Sequence, residues 1–182
     1  MTDDGEAERL LYEALGASQR LGFVGGRSIS EVIEHARVFV DALSAVSGAV
    51  LDLGSGGGVP GLVIAVDRPD LAVTLLDRRT KRTDFLSRMI RRMGLTDRVT
   101  VLAADVDDAI RAGLTGFDGV VARGFGPPAA TLRTALDLVA PAGTVVISEP
   151  PSGDRWDPAL LVELGVSRLP SDPRVAVFRR VS

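Results

Sequence analysis

The stretch Asp52-Leu53-Gly54-Ser55-Gly56-Gly57-Gly58 constrains this chain more than any other part of it. It follows the apolar run Ala49-Val50-Leu51, and Pro60 stands just after it, at the start of a new apolar pattern with helical spacing. This order reads as a strand ending in a glycine-rich turn that opens a helix, with an acid at the strand's last positions. Glycines without a Cβ let the backbone turn sharply and approach a ligand closely. The helix beyond presents unpaired N–H groups and the positive end of its dipole. A proline in the first helical turn loses nothing, because that N–H is orphaned anyway. The crevice so formed suits a nucleotide-like ligand.

The glycine spacing and the acid select among nucleotides. Read from Gly56, the segment Gly56-Gly57-Gly58-Val59-Pro60-Gly61 fits the G-x-G-x-x-G of dinucleotide enzymes, but it leaves Asp52 unexplained. Read from Asp52, it is acid-x-Gly-x-Gly-x-Gly, which resembles the opening motif of class I S-adenosyl-L-methionine-dependent methyltransferases. That cofactor carries an ammonium and a sulfonium and no pyrophosphate, so an acid beside it is favourable. The resemblance implies S-adenosyl-L-methionine as cofactor, with Asp52, Gly54, Ser55, Gly56 and Gly58 around it. A tight structural turn with no ligand is the alternative.

The chain of 182 residues is 46% hydrophobic, enough for one domain with a full core. It has no cysteine, which excludes disulfides, thiolate metal sites and a cysteine nucleophile. The start, Met1-Thr2-Asp3-Asp4-Gly5-Glu6, is acidic rather than signal-like, and no apolar run approaches the ~20 residues that span a bilayer. A cytoplasmic location is the expectation. The formal net charge of −3 is not that of a dedicated nucleic-acid binder. Yet Arg78, Arg79, Lys81, Arg82, Arg88, Arg91, Arg92 and Arg98 crowd one region. Such a run reads either as a solvated helix face or as a phosphate-facing surface.

Two helices are expected first, from about Glu6 to Arg20 and from a Ser28 or Ser30 cap to about Leu43. Short apolar runs then read as buried parallel strands at Val50–Leu53, Val73–Leu76, Val99–Ala103, Gly119–Ala122 and Thr144–Ile147. Helical candidates lie between them near Gly61–Val66, Lys81–Met93, Val106–Ala112 and Ala129–Val139. Ala159–Leu164 is a last helix, and Val166–Leu169 with Val175–Arg179 reads as an antiparallel hairpin. The alternation predicts an α/β, doubly wound, mainly parallel seven-stranded sheet, the Rossmann-like sheet of class I methyltransferases. One domain is expected over residues 1–182, with extra N-terminal helices over 1–47 and the core over 48–182.

In such sheets ligands sit beyond the carboxyl ends of the strands. Asp77 ends the second strand, where an acid can accept both ribose hydroxyls or cap the next helix. Asp105 ends the third strand, where a carboxylate can accept from an adenine amine; Asp107 and Asp108 compete for this role, and all three also suit a helix start. Arg123 ends the fourth strand, placed to contact the cofactor, meet a substrate phosphate, or lie at the surface. His35, the only histidine, is on a mostly apolar helix face and reads as a packing residue rather than a base. Trp156 lies in a proline-flanked loop and either stacks on a base or covers the core edge.

From about Val50 to Pro141 the chain is similar to the bacterial small-subunit ribosomal RNA guanine-N7 methyltransferase family, also called the glucose-inhibited division protein B family. Leu51-Asp52-Leu53-Gly54-Ser55-Gly56-Gly57-Gly58-Val59-Pro60-Gly61 looks like its L-D-x-G-S-G-x-G-F-P-G. Thr74-Leu75-Leu76-Asp77 with Lys81-Arg82 and Phe85-Leu86 resembles its second strand and basic helix. Phe117-Asp118-Gly119-Val120-Val121-Ala122-Arg123-Gly124-Phe125 looks like its F-D-x-V-x-x-R-A-x. The resemblance places Gly54, Val59, Val106, Asp107 and Arg123 at cofactor-site positions. Four departures concern RNA contact and length. Gln19-Arg20-Leu21-Gly22-Phe23-Val24 replaces the family's W-N-x-x-x-N-L-T, and Ser148-Glu149 replaces a lysine-glycine pair. Asp105 replaces an arginine, and the chain is shorter than most members.

The reaction implied is in-line transfer of a methyl group to guanine N7 of small-subunit ribosomal RNA, leaving S-adenosylhomocysteine. N7 has a free lone pair and no proton to lose, so no general base is required and no catalytic residue or metal is assigned. Rate enhancement would come from alignment. The partner implied is ribosomal RNA or the small ribosomal subunit. A diverged paralogue acting on a small molecule or other target, and a non-catalytic cofactor-binding protein, are the competing readings.

Overall fold

The strands alternate their side chains between two cores, and that alternation organises everything above them. The computed structural model of the protein describes residues 4–151 and 155–180. Asp3 of the acidic start lies outside the described residues, as do positions 152–154 of the loop before Trp156. Helices α1 (Asp4–Arg20) and α2 (Ile29–Ala42) come first. There follow β1 (Gly48–Leu53), α3 (Gly61–Asp67), β2 (Leu71–Asp77), α4 (Thr80–Arg92), β3 (Val99–Ala103), α5 (Val106–Arg111), β4 (Phe117–Ala122) and α6 (Pro128–Leu138). The last elements are β5 (Val139–Ser148), α7 (Pro158–Glu163), β6 (Val166–Leu169) and β7 (Val175–Arg180).

Among the described residues the strands form one seven-stranded sheet in the order β3-β2-β1-β4-β5-β7-β6. The first five are mutually parallel, and β7 runs antiparallel to both β5 and β6. The doubly wound sheet with a terminal hairpin, read from strand–helix alternation, is the architecture found. The order reverses at β1, whose neighbours β2 and β4 carry the chain to opposite sides, and a ligand crevice is expected at such a switch point.

On one face Val50, Val73, Leu75 and Val121 pack under α1, α2, α3 and α4, through Leu11, Phe39, Leu62 and Phe85 among others. On the other, Leu51, Leu53, Leu76 and Val120 pack under α6, through Leu132 and Ala135. The period of two along each strand therefore feeds both layers. The N-terminal helices are part of the first core and not an appendage to it.

Ser28 caps α2 in a capping box with Glu31, in agreement with the expected start. Two local expectations are corrected. Pro60 is the N-cap of α3, and Gly61 is its first residue, so the proline precedes the helix rather than opening it. Strand β5 begins at Val139, five residues before the apolar run at Thr144, because a register shift opposite Phe117 and Gly119 lets Pro141 and Gly143 pass within the strand. Ala142 takes a positive φ of 59° at that irregularity. No helix among the described residues is long and apolar enough to cross a membrane.

Candidate functional site

The glycine turn after β1 is held from three sides. From below, the Asp52 Oδ2 atom accepts the Gly61 amide at 3.0 Å, joining the end of β1 to the first turn of α3. From the side, Asp77 Oδ2 accepts the Gly56 amide at 2.9 Å while its Oδ1 accepts the Arg79 amide at 2.8 Å. From behind, the buried Ser18 hydroxyl of α1 donates to the Gly57 carbonyl at 2.8 Å. A Cβ on Gly57 would collide with Ser18, Val24 and the Phe23 carbonyl, so only glycine fits beneath α1. Gly56 and Gly58 have φ of 55° and 94°, the left-handed region where glycine is free of strain.

Asp52 is the most perturbed acid. It is 1% exposed, and its Oδ1 makes no hydrogen bond. Burial pushes its carboxyl up to about 7, while the Ser55 hydroxyl, the Gly61 amide and the Arg123 charge pull it the other way. A cation brought near this group would favour its ionised form.

Two concavities open over the strand ends. The first, of about 380 Å³, is lined by Leu53, Gly54, Asp77, Arg82, Asp105 and Val106 among others, beyond β1, β2 and β3. The second, of about 890 Å³, lies beyond β4 and β5 and carries Arg27, His35, Arg123, Arg155 and Arg174. Both volumes are in the range of small-molecule sites. They share Gly124 and Phe125 as a common boundary. The Phe125 ring lies so close over Gly54 that a Cβ there would come within 2.7 Å of it.

The residues singled out from sequence divide accordingly. Gly54, Asp77, Asp105 and Val106 line the first crevice, and Arg123 lines the second. Asp52, Ser55, Gly58 and Val59 are buried beneath the turn, and Gly56 belongs to the turn itself. Asp107 is exposed and belongs to neither lining. Asp105 also caps α5, its Oδ1 accepting the Asp107 amide at 3.1 Å, with Arg78 3.8 Å from its other oxygen. Asp108 pairs with Arg111 at 2.6 Å.

His35 is half-buried in the second cleft, and burial together with Arg123, Arg174 and Arg27 holds it below the ordinary histidine range. Trp156 is buried, packs edge-on against Phe178 at 4.6 Å and donates Nε1 to Glu149 at 2.8 Å, so it covers the core edge. The basic run is only partly available. Arg98 turns inward onto the carbonyls of Ala65, Arg68 and Leu71, and Arg92 pairs with Glu13 at 2.6 Å. Lys81, Arg88 and Arg91 remain exposed on α4. Arg27, Arg155, Arg174 and Thr131 of the second cleft were not marked by any local pattern.

Comparison with known proteins follows the same lines. The sequence pattern of the family described as rRNA small subunit methyltransferase G matches residues 6–149. Ribosomal RNA small subunit methyltransferase G of Salinispora tropica is 41% identical over 102 residues, covering 53% of this chain and 42% of the relative. The protein of the same name from Nocardioides sp. is 34% identical over 143 residues, covering 77% of this chain and 56% of the relative. The chain thus spans about half the length of the curated relatives it matches. A methyltransferase from Geobacter sulfurreducens superposes with a TM-score of 0.64 at 15% identity, covering 93% of this chain and 89% of that one, and shares its fold. The match across 6–149, on a chain whose glycine turn, proline and strand-end arginine already resembled it, makes this protein a member of the rRNA small subunit methyltransferase G family.

Proposed function

We propose that the protein transfers a methyl group from S-adenosyl-L-methionine to N7 of a guanine in small-subunit ribosomal RNA. The observation that carries this reading is the pairing of an acid-braced glycine turn with two adjoining concavities, one bordered by strand-end acids and the other by arginines. Asp77 and Asp105, on the lining of the smaller crevice, fit a nucleoside rich in donors, and a cofactor bearing an ammonium group would favour the ionised form of Asp52 beneath the turn. Gly54, Asp77, Asp105 and Val106 would hold that cofactor, which supplies an electrophilic methyl group on sulfur.

Every other contribution belongs to the chain. The glycine turn is braced by Asp52, Asp77 and Ser18, so the crevice is organised by the fold itself. Guanine N7 attacks through its own lone pair, and no residue need remove a proton. The protein's work is therefore alignment, which alone can supply about 7–11 kcal/mol of a barrier. Arg27 and Arg123 in the cleft, with Lys81, Arg88 and Arg91 on α4, offer positive charge to an RNA backbone.

The net charge of −3 favours a second reading, a small-molecule acceptor. Incubation of the full chain with labelled S-adenosyl-L-methionine and small-subunit RNA, naked or assembled, separates the two. N7-methylguanine in the hydrolysed RNA supports the first reading. Label appearing only in a metabolite pool supports the second and overturns the first.

A further inference from the structure

Among the described residues three buried side-chain atoms have no hydrogen-bond partner: Asp52 Oδ1, Thr131 Oγ1 and Glu149 Oε2. Buried polar atoms are nearly always satisfied, so such orphans call for an explanation. Thr131 and Glu149 both line the larger cleft, on the α6 and β5 sides of its boundary. Asp52 stands under the neighbouring turn, where it feels the charge of Arg123, another residue of that lining. Two of the three unsatisfied atoms therefore belong to residues of one cleft.

Glu149 is held rather than loose. Its Oε1 accepts from Trp156 Nε1 at 2.8 Å and from Arg155 Nε at 3.3 Å. Its backbone amide donates to the Arg174 carbonyl at 2.7 Å, anchoring it to the strand start at β7. Arg155 is in turn tied to the Ser148 carbonyl at 2.6 Å. One oxygen is thus fixed by the core edge, and the other is an acceptor with no donor.

We propose that Glu149, assisted by Thr131, reads the base of the methyl acceptor and selects guanine; this rests on the guanine reading above. Guanine presents two adjacent donors, the ring N1–H and the 2-amino group, on the edge away from N7. A fixed carboxylate oxygen matches both. Adenine presents a lone pair at the same ring position and meets the carboxylate unfavourably. Hypoxanthine keeps N1–H but lacks the 2-amino donor. The Thr131 hydroxyl can donate to the 6-oxo group of guanine, which adenine replaces by an amine. Donors engaged on that edge leave N7 on the opposite side of the base free to be methylated.

The test titrates the full chain, saturated with S-adenosylhomocysteine, with guanosine, inosine and adenosine 5′-monophosphates. Wild type should prefer the guanine nucleotide by about tenfold or more, the size expected for a hydrogen bond to a charged group. Glu149→Gln preserves shape and should shrink that preference to about threefold or less. Thr131→Val should lower guanine-nucleotide affinity severalfold. Neither should change S-adenosylhomocysteine affinity, because neither residue lines the smaller crevice, whereas a collapse of the strand ends would lower it. Equal binding of the three nucleotides by wild type, binding of none, or full discrimination retained by Glu149→Gln overturns the inference. Methyl transfer to small-subunit RNA is measured alongside. Wild type that methylates RNA guanine while Glu149→Gln discriminates normally loses the base-reading role and keeps the function. Wild type that methylates no RNA while its guanine preference depends on Glu149 loses the RNA acceptor and keeps the base-reading role.

Discussion

Asp77 Oδ2 accepts the Gly56 amide at 2.9 Å, so an acid at the end of β2 fixes the shape of the turn at the end of β1. The same carboxylate takes the Arg79 amide on its other oxygen and lies 3.5 Å from the Arg82 guanidinium. It lines the first crevice while bracing the wall of that crevice.

Asp77→Ala should therefore weaken S-adenosylhomocysteine by about 1–3 kcal/mol, both by removing an acceptor and by releasing the turn. Asp105→Ala, whose acid is half-exposed and already caps α5, should have a smaller effect. Calorimetric titration of both variants checks the order, and negligible losses from both would remove the strand ends from the nucleoside site.

Gly57→Ala tests the contact between α1 and the turn. Its new methyl group would meet Ser18, Val24 and the Phe23 carbonyl, a backbone atom that cannot swing away. Overpacking of this kind costs about 1–3 kcal/mol, read as a lower thermal midpoint. An unchanged midpoint would show that α1 is not seated against the turn.

Asp52 gives the protein a pH signature. Burial raises its carboxyl to about 7 in the fold, against about 3.9 in an unfolded chain. The folded state thus holds the proton more tightly. Its contribution to stability is complete below about pH 4 and is lost as pH rises through about 7, at about 1.4 kcal/mol for each pKa unit. Asp52→Asn keeps an acceptor for Gly61 and should flatten the decline in stability between those pH values. Denaturation of both proteins across that range measures it, and parallel profiles would contradict the assignment.

Arg88→Glu with Arg91→Glu reverses two exposed charges on α4 and should depress methylation of small-subunit RNA severalfold at low salt. The deficit should narrow at high salt, where screening has already weakened phosphate contacts. S-adenosylhomocysteine affinity should be unaltered, since neither residue lines a crevice. A deficit independent of salt would point to disturbed folding instead of lost RNA contact.

Much of the frame was legible because continuous apolar strands and glycine punctuation are local signals. The β1 turn, the strand-end position of Asp77 and the terminal hairpin all follow from residues adjacent in sequence. Arg98 was misleading for the opposite reason: its place in a basic run concealed that its guanidinium satisfies carbonyls at the end of α3 and the start of β2. The larger cleft was legible only in part. Arg123 was marked by its place at a strand end, but Arg27, Arg155 and Arg174 come from separate segments, and only the fold assembles them beside it. Ser18 carried no motif either, since its role depends on where α1 settles over the turn. Glu149 stood out as a departure from the family, but the pairing with Thr131 required the fold.

Phe125 belongs to both concavities, pressed on Gly54 and preceded by an open position at Gly124. A single ring that forms part of two walls would couple binding in the two concavities wherever a ligand in one displaces it. Any ligand that shifts the ring alters the free energy available to the other, and by the same factor in either order of addition. An affinity measured for one partner alone is then a property of a half-filled protein, and the working value is the one measured with both in place.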